Sequence, residues 1–314
     1  MSEHPSTNRP PLRTLFETPG AEPLLFGITP PRQSATTEQA ATIARVTMDR
    51  LADIDVDGLI LYDIDDESDR NQAERPFPYL PTMDPTQFEA THLAALPYPI
   101  VIYRSVGKYT EPVLRSWLEA ADANRVSAVF VGASSKQKAM RTSLTRSQEL
   151  QHEVRPDMML GGVAISERHT ATGDEHHRLI AKQTRGCSFF VSQVVYDVAA
   201  TKNMLSDYFY ACTEARIDPR PVVLTLSVCG SLKTLAFLEW LGVDVPRWLQ
   251  NSLAHATDPL TESYDQCMAS AVDLAAFCRR LGMPFGFNIE SVSNRKAEIE
   301  ASVAIAHELR GVLR

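Results

Sequence analysis

Apolar residues come in short runs along this chain, separated by segments in which apolar positions recur every three or four residues. The runs predict eight strands, near 24–29, 58–64, 100–106, 128–133, 160–166, 189–196, 222–228 and 285–289. The segments between them predict helices near 36–52, 84–95, 110–124, 137–153, 174–185, 199–216, 231–241 and 259–281, with a last one over 292–312. Strands alternating with helices imply a parallel sheet, and eight such units imply a closed (β/α)8 TIM barrel. Several strands, GLILYDI and PVVLTLS among them, are apolar at nearly every position, as a sheet covered on both faces requires. An open doubly wound sheet is the competing architecture, but no Gly-x-Gly-x-x-Gly follows any strand. Residues 1–21, rich in Pro, Ser, Thr and charge, are expected to be a mobile lead-in. That leaves 22–314 as a single barrel domain with extra helices before the last strand.

Composition narrows the class of protein without changing the fold. With 44% hydrophobic and 22% charged residues the 314-residue chain has the balance of a soluble globular enzyme. A net charge of −8 argues against nucleic acid as a partner. No apolar run approaches the roughly 18 residues of a membrane span, and the N-terminus lacks a signal-peptide core. The five cysteines show no Cys-x-x-Cys spacing and sit in apolar contexts, so they are expected to be buried thiols in a cytoplasmic protein. No metal is implied, and a homo-oligomer is left open.

In a parallel barrel, polar residues at the C-terminal ends of the strands gather at one rim, where ligand chemistry collects. The first strand exits through Thr29-Pro30-Pro31-Arg32, either an anion contact or a stiff turn with a solvated Arg. The second ends in Tyr62 and Asp63, backed by Asp65, Asp66 and Glu67. That cluster reads as a general acid/base or as a solvated acidic run. The third strand ends in Tyr103 and Arg104. After the fourth, Gly132-Ala133-Ser134-Ser135-Lys136 suits a phosphate seat at a helix start, or a plain capped turn. In the stretch 159–197, Glu167, Arg168 and His169 follow one strand and Lys182 lies on the next helix, where His176 and His177 are expected to be exposed. Gln193 sits inside the following apolar strand, where a buried amide needs partners. The last strand ends in Asn288 and Glu290, the latter either a proton donor aimed into the mouth or a helix cap.

The stretch 159–197 resembles the methylenetetrahydrofolate reductase family, flavin-dependent barrels that reduce the methylene carbon of a folate to a methyl group. Glu167 with His169, Lys182, Gly186-Cys187, and Ser192-Gln193 with Asp197 stand where that family has an acid and a histidine, a basic helix, a Gly-Ala pair and a Thr-Gln strand ending in Asp. LLFGITPPR is similar to the family's Phe-Glu-aromatic-aromatic-Pro-Pro-Arg, and Val245-Pro246-Arg247-Trp248 to its Ile-Pro-x-Trp. The resemblance implies NAD(P)H and FAD as cofactors and a folate substrate. It gives Gln193 a pterin contact and associates His169 and Lys182 with the flavin. Together with the rim residues, it makes Arg104, Ser134, Lys136, Glu167, His169 and Lys182 the expected cofactor contacts, and Gln193, Tyr62 and Asn288 the expected folate contacts.

Two departures fall on the chemistry. Gly27 stands where the family has the strand-one glutamate that protonates folate N10, and Val131-Gly132-Ala133 where it has Arg-Gly-Asp beside the flavin. A positioned proton donor is worth about 10²–10⁴ in rate, so the reaction needs a replacement. Asp63 and Glu290 are the expected catalytic candidates. A divergent reductase is the leading expectation. A related folate-dependent enzyme of methyl transfer or demethylation, and a non-catalytic folate- or flavin-binding protein, remain beside it.

Overall fold

The structure is a computed structural model that describes residues 9–67, 72–132 and 139–313. Strands β1 (Leu24–Ile28), β2 (Gly58–Leu61), β3 (Ile100–Ser105), β4 (Val126–Val131), β5 (Leu160–Ala164), β6 (Cys187–Val194), β7 (Val222–Ser227) and β8 (Phe285–Glu290) pair in parallel in chain order, and β8 closes on β1. The expected (β/α)8 barrel is the fold.

Helices α1 (Leu12–Glu17), α2 (Thr37–Ala52), α3 (Pro85–Phe88, running into a π-turn to Leu93), α4 (Glu111–Ala120), α5 (Leu144–Val154), α6 (Ser166–Thr172), α7 (Glu175–Thr184), α8 (Val198–Ala215), α9 (Leu232–Trp240), α10 (Arg247–His255), α11 (Pro259–Leu281) and α12 (Lys296–Arg310) complete the chain. Their limits follow local chemistry. Thr36 and Gln39 form a capping box at the start of α2. Asp258 caps α11 ahead of a proline in its first turn, and Gly282 at φ 77° ends it. Gly173 at φ 70° breaks what the sequence suggested was loop and one helix into α6 and α7.

Side chains alternate between the two faces of each strand and divide the core in two. Leu25, Ile60, Val101, Tyr103, Val129, Phe189, Val191 and Val223 fill the lumen. Their neighbours, such as Leu24, Phe26, Leu59, Leu61, Ile100, Ile102, Leu224 and Phe287, pack outward under the helices. The lower lumen is plugged. Phe189 lies against Gly161, where a Cβ would come within 2.5 Å of its ring, and Phe16 of α1 stacks on it at 5.0 Å between centroids. Leu12 of the same helix is 2% exposed. The described part of the stretch expected to be a mobile lead-in thus includes a helix anchored under the barrel, because burying each such side chain is worth about 1.5–3 kcal/mol. All five cysteines are buried thiols, and no described helix is long and apolar enough to cross a membrane.

Candidate functional site

At the upper end of the lumen the apolar layers give way to a polar one. Strand alternation turns Gly27, Tyr62, Tyr103, Gln193 and Glu290 toward one cavity of about 1860 Å³ at the C-terminal mouth. Tyr62 Oη donates a short hydrogen bond to Glu290 Oε2, and Asn288 Nδ2 lies 3.2 Å from the same oxygen and 3.0 Å from the Tyr62 hydroxyl. Thr225 Oγ1 sits 3.4 Å behind Asn288. Tyr103 meets Tyr62 edge-on at 4.8 Å. No cation pairs with Glu290 among the described residues. Withdrawal from bulk water pushes its carboxyl up to about 7, against the opposing pull of the Tyr62 and Asn288 hydrogen bonds. Burial, reinforced by the Glu290 charge, likewise holds the Tyr62 and Tyr103 phenols well above their usual range.

Gly27 explains how Glu290 reaches this place. A Cβ on Gly27 would lie 2.9 Å from Glu290 Cβ and 3.2 Å from Glu290 Oε2. The carboxylate of β8 therefore occupies the volume that a side chain on β1 would fill. A residue larger than glycine at 27 and a glutamate at 290 compete for one space.

Asp63, the other expected acid, has a different setting one residue beyond Tyr62. Ser105 N–H donates to its Oδ2 at 2.9 Å, Tyr109 Oη lies 3.0 Å from the same oxygen, and Lys108 Nζ is 2.5 Å from Oδ1. Its side chain is 1% exposed. Three donors saturate it, and it ties the end of β2 to the turn after β3. This corrects the expectation of Asp63 as a proton donor: the geometry is that of an anchor.

Arg104 is also corrected. Next to the inward Tyr103, it points outward. Its guanidinium is 2.5 Å from Asp84 Oδ2 and 2.6 Å from Thr86 Oγ1, and it is sandwiched over the rings of Tyr109 and Trp117 at 4.8 and 4.6 Å. Glu167 leans away from the cavity, accepting from Asp244 N–H at 3.3 Å, with burial raising its carboxyl. His169 faces α8, with Nε2 3.0 Å from Asp207 Oδ2. Lys182 does reach the cavity wall, where its ammonium donates to the Val163 carbonyl and lies 3.4 Å from Glu175 Oε1. Ser134 and Lys136 lie outside the described residues. The family resemblance implies FAD, but of its expected contacts among the described residues Lys182 alone lines the cavity.

Gln193 stands in the cavity wall, half-buried, with its amide Nε2 donating to the Leu241 carbonyl at 3.2 Å. A break in the β6–β7 register between Val191 and Val194 sets its position, and Ser192 Oγ accepts from Thr225 N–H at 2.8 Å across that break. The wall beside it, on α9, is absent from the sequence expectations. Arg75 lies over Phe237 at 4.9 Å and Trp240 at 5.2 Å and donates to the Phe77 carbonyl, while Trp240 Nε1 donates to the Ala73 carbonyl. The run Arg75-Pro76-Phe77-Pro78-Tyr79, aromatic and proline-rich after a strand end, was the signal available for it.

A scan of protein-family models and a search of curated proteins find no match. Among solved structures, a protein from Clostridium thermocellum, described as binding two copies of 5-methyl-5,6,7,8-tetrahydrofolic acid, is 38% identical. The match covers 96% of this chain and 99% of that one, with a TM-score of 0.85. The chain belongs to that protein's family. Two further likenesses are of the barrel alone. A 2,3-dimethylmalate lyase is 12% identical over 88% of this chain and 77% of its own, at a TM-score of 0.48. A dihydropteroate synthase from Xanthomonas albilineans is 10% identical over 93% and 92%, at 0.43. Because the Clostridium match spans both chains almost end to end, the three-helix excursion α9–α11 lies within the family fold rather than on a separate added domain.

Proposed function

We propose that this protein binds reduced folates in the mouth of its barrel and reduces a methylene-folate to a methyl-folate with NAD(P)H, without flavin, using Glu290 as the acid. The observation that carries the reading is Glu290 itself. It is a carboxyl held near neutrality in the space left by Gly27, in a barrel whose relative binds 5-methyl-tetrahydrofolate. A small-molecule site commonly occupies about 300–1,000 Å³. The 1860 Å³ cavity therefore has the capacity of two such sites, in keeping with the two ligand copies bound by the relative.

In this reading Glu290 gives its proton to folate N10, the C–N10 bond of the methylene bridge breaks, and the methylene carbon remains on N5 as an iminium. NAD(P)H supplies a hydride to that carbon, giving the methyl-folate and NAD(P)+. One proton, one hydride and one broken C–N bond balance the step. Tyr62 and Asn288 orient the carboxyl and remain to stabilise the carboxylate once the proton has left. Gln193 offers amide groups to the pterin edge.

The test is NAD(P)H oxidation by purified protein with methylene-tetrahydrofolate and no added flavin. Turnover that needs both substrates, and a bound stoichiometry of two 5-methyl-tetrahydrofolates per chain by calorimetry, are the expected results. Folate binding without turnover would discard the reductase. It would favour the second reading, a methyl-donor or demethylation reaction, which the methylated ligand of the relative supports.

A further inference from the structure

On the flank of the barrel, helices α6, α7 and α8 bring together His169, His176 and Asp207. One ligand-competent atom from each lies within 4.8 Å of the others. His169 is 8% exposed, and its Nε2 is 3.0 Å from Asp207 Oδ2. The Nδ1 atoms of His169 and His176 are both buried and have no hydrogen-bond partner. The two rings meet edge-on at 5.4 Å, and the ring of His177 lies 3.9 Å beyond His176.

Buried polar atoms are nearly always answered by a partner. With His169 Nε2 turned to Asp207, the unanswered Nδ1 of His176 beside that pair points to something that takes a lone pair. Two imidazoles and one carboxylate are a donor set suited to zinc and its neighbours in the first transition series. The 3.0 Å between His169 Nε2 and Asp207 would have to open only to the roughly 3.4 Å edge of a tetrahedron built on bonds of about 2.1 Å. His176, with a ligand atom within 4.8 Å of the other two, would supply the third vertex, and Asp207, its side chain 55% exposed, leaves the fourth to water.

We infer that His169, His176 and Asp207 bind one divalent ion of the zinc class. The sequence had placed His176 and His177 as exposed helix residues and implied no metal. The topology, by folding α7 back between α6 and α8, is what assembles the site. Its effect on the mouth is one of position. The helix α6 carries Arg168 and α7 carries Lys182, both in the cavity wall, and the two helices are joined through Gly173 in the left-handed region. An ion bonded to α6, α7 and α8 together fixes that joint.

The experiment uses the full chain stripped with a chelator and titrated with zinc chloride, then cobalt chloride. One equivalent of zinc by elemental analysis, visible d–d bands of a four-coordinate cobalt site, and a rise in Tm of roughly 5 °C at a hundredfold excess over Kd are expected. His176→Ala and Asp207→Asn, both at positions open to solvent on one side, should each weaken zinc binding at least tenfold while leaving the circular dichroism unchanged. Absence of uptake by the native chain, or uptake unaltered in both variants, would overturn the site and leave a His–Asp helix contact. The outcome is independent of folate binding.

Discussion

Two carboxylates stand at adjacent strand ends on either side of β1 and have opposite surroundings. Asp63, also in the cavity wall, receives an amide N–H, a phenol and an ammonium, and its side chain is 1% exposed. Glu290 receives a phenol and an amide, pairs with no cation among the described residues, and faces the cavity. The chain places more acid around the first than the second, since Asp65, Asp66 and Glu67 follow Asp63. Acidic density is therefore a poor guide to proton chemistry. A carboxyl becomes a useful acid where the protein withholds the charges that would keep it ionised.

The largest effect expected from this contrast is on turnover. Glu290→Gln keeps the shape and an acceptor for Tyr62 but removes the proton, so kcat should fall by about 10²–10⁴. In the native protein kcat/KM should decline as pH rises through about 7, where the acid ionises, and that limb should vanish in the variant. A further variant carrying both Gly27→Glu and Glu290→Gly returns the carboxylate to β1. Partial recovery of kcat would show that the space, rather than the strand, matters.

Stability gives the next effect. Glu290 is raised in the folded state above an unfolded value near 4.3, so the folded chain holds its proton more tightly. Its contribution is fully present below that unfolded value and is lost as pH climbs through about 7. Up to about 3 kcal/mol is involved. Urea midpoints should show Glu290→Gln gaining on the native protein between pH 5 and 8, and parallel curves would contradict the assignment. Asp63→Asn should do the reverse, losing about 2 kcal/mol of stability at neutral pH because Lys108 and Ser105 N–H lose a charged acceptor, with kcat within a fewfold of native. A hundredfold loss of kcat with an unchanged urea midpoint would restore Asp63 as the acid. The smallest effect is on binding: Gln193→Ala should raise the folate Kd by about fivefold, consistent with one lost amide contact of about 1 kcal/mol, and leave the pH profile as it was.

Much of this was legible in the chain. Eight apolar runs alternating with helical segments predict the barrel, and the period of two sorts the rim. Asn288 and Glu290 are two apart and face together, whereas Tyr103 and Arg104, neighbours within β3, cannot both face the lumen. Applied strictly, that rule selects Asn288 with Glu290 and rejects Arg104. Other features depend on distance in space. Nothing near His169 in sequence announces Asp207, 38 positions on. Helix α6 was read as loop because its seven residues SERHTAT are polar and too short to show a period. The fit between Gly27 and Glu290 needs the register of β1 against β8, which one strand alone does not contain.

The plug formed by α1 and Phe189 also bears on kinetics. A vessel stoppered at the bottom has one opening, so if two ligands share it, as proposed above, they must queue. Whichever occupies the deep seat beside Glu290 arrives first and, once the outer seat fills, departs last. Steady-state patterns should then be those of a compulsory sequence, with the outer ligand trapping the inner one at high concentration. Shortening the chain to remove Leu12 and Phe16 would attack that order from the end of the barrel opposite the mouth.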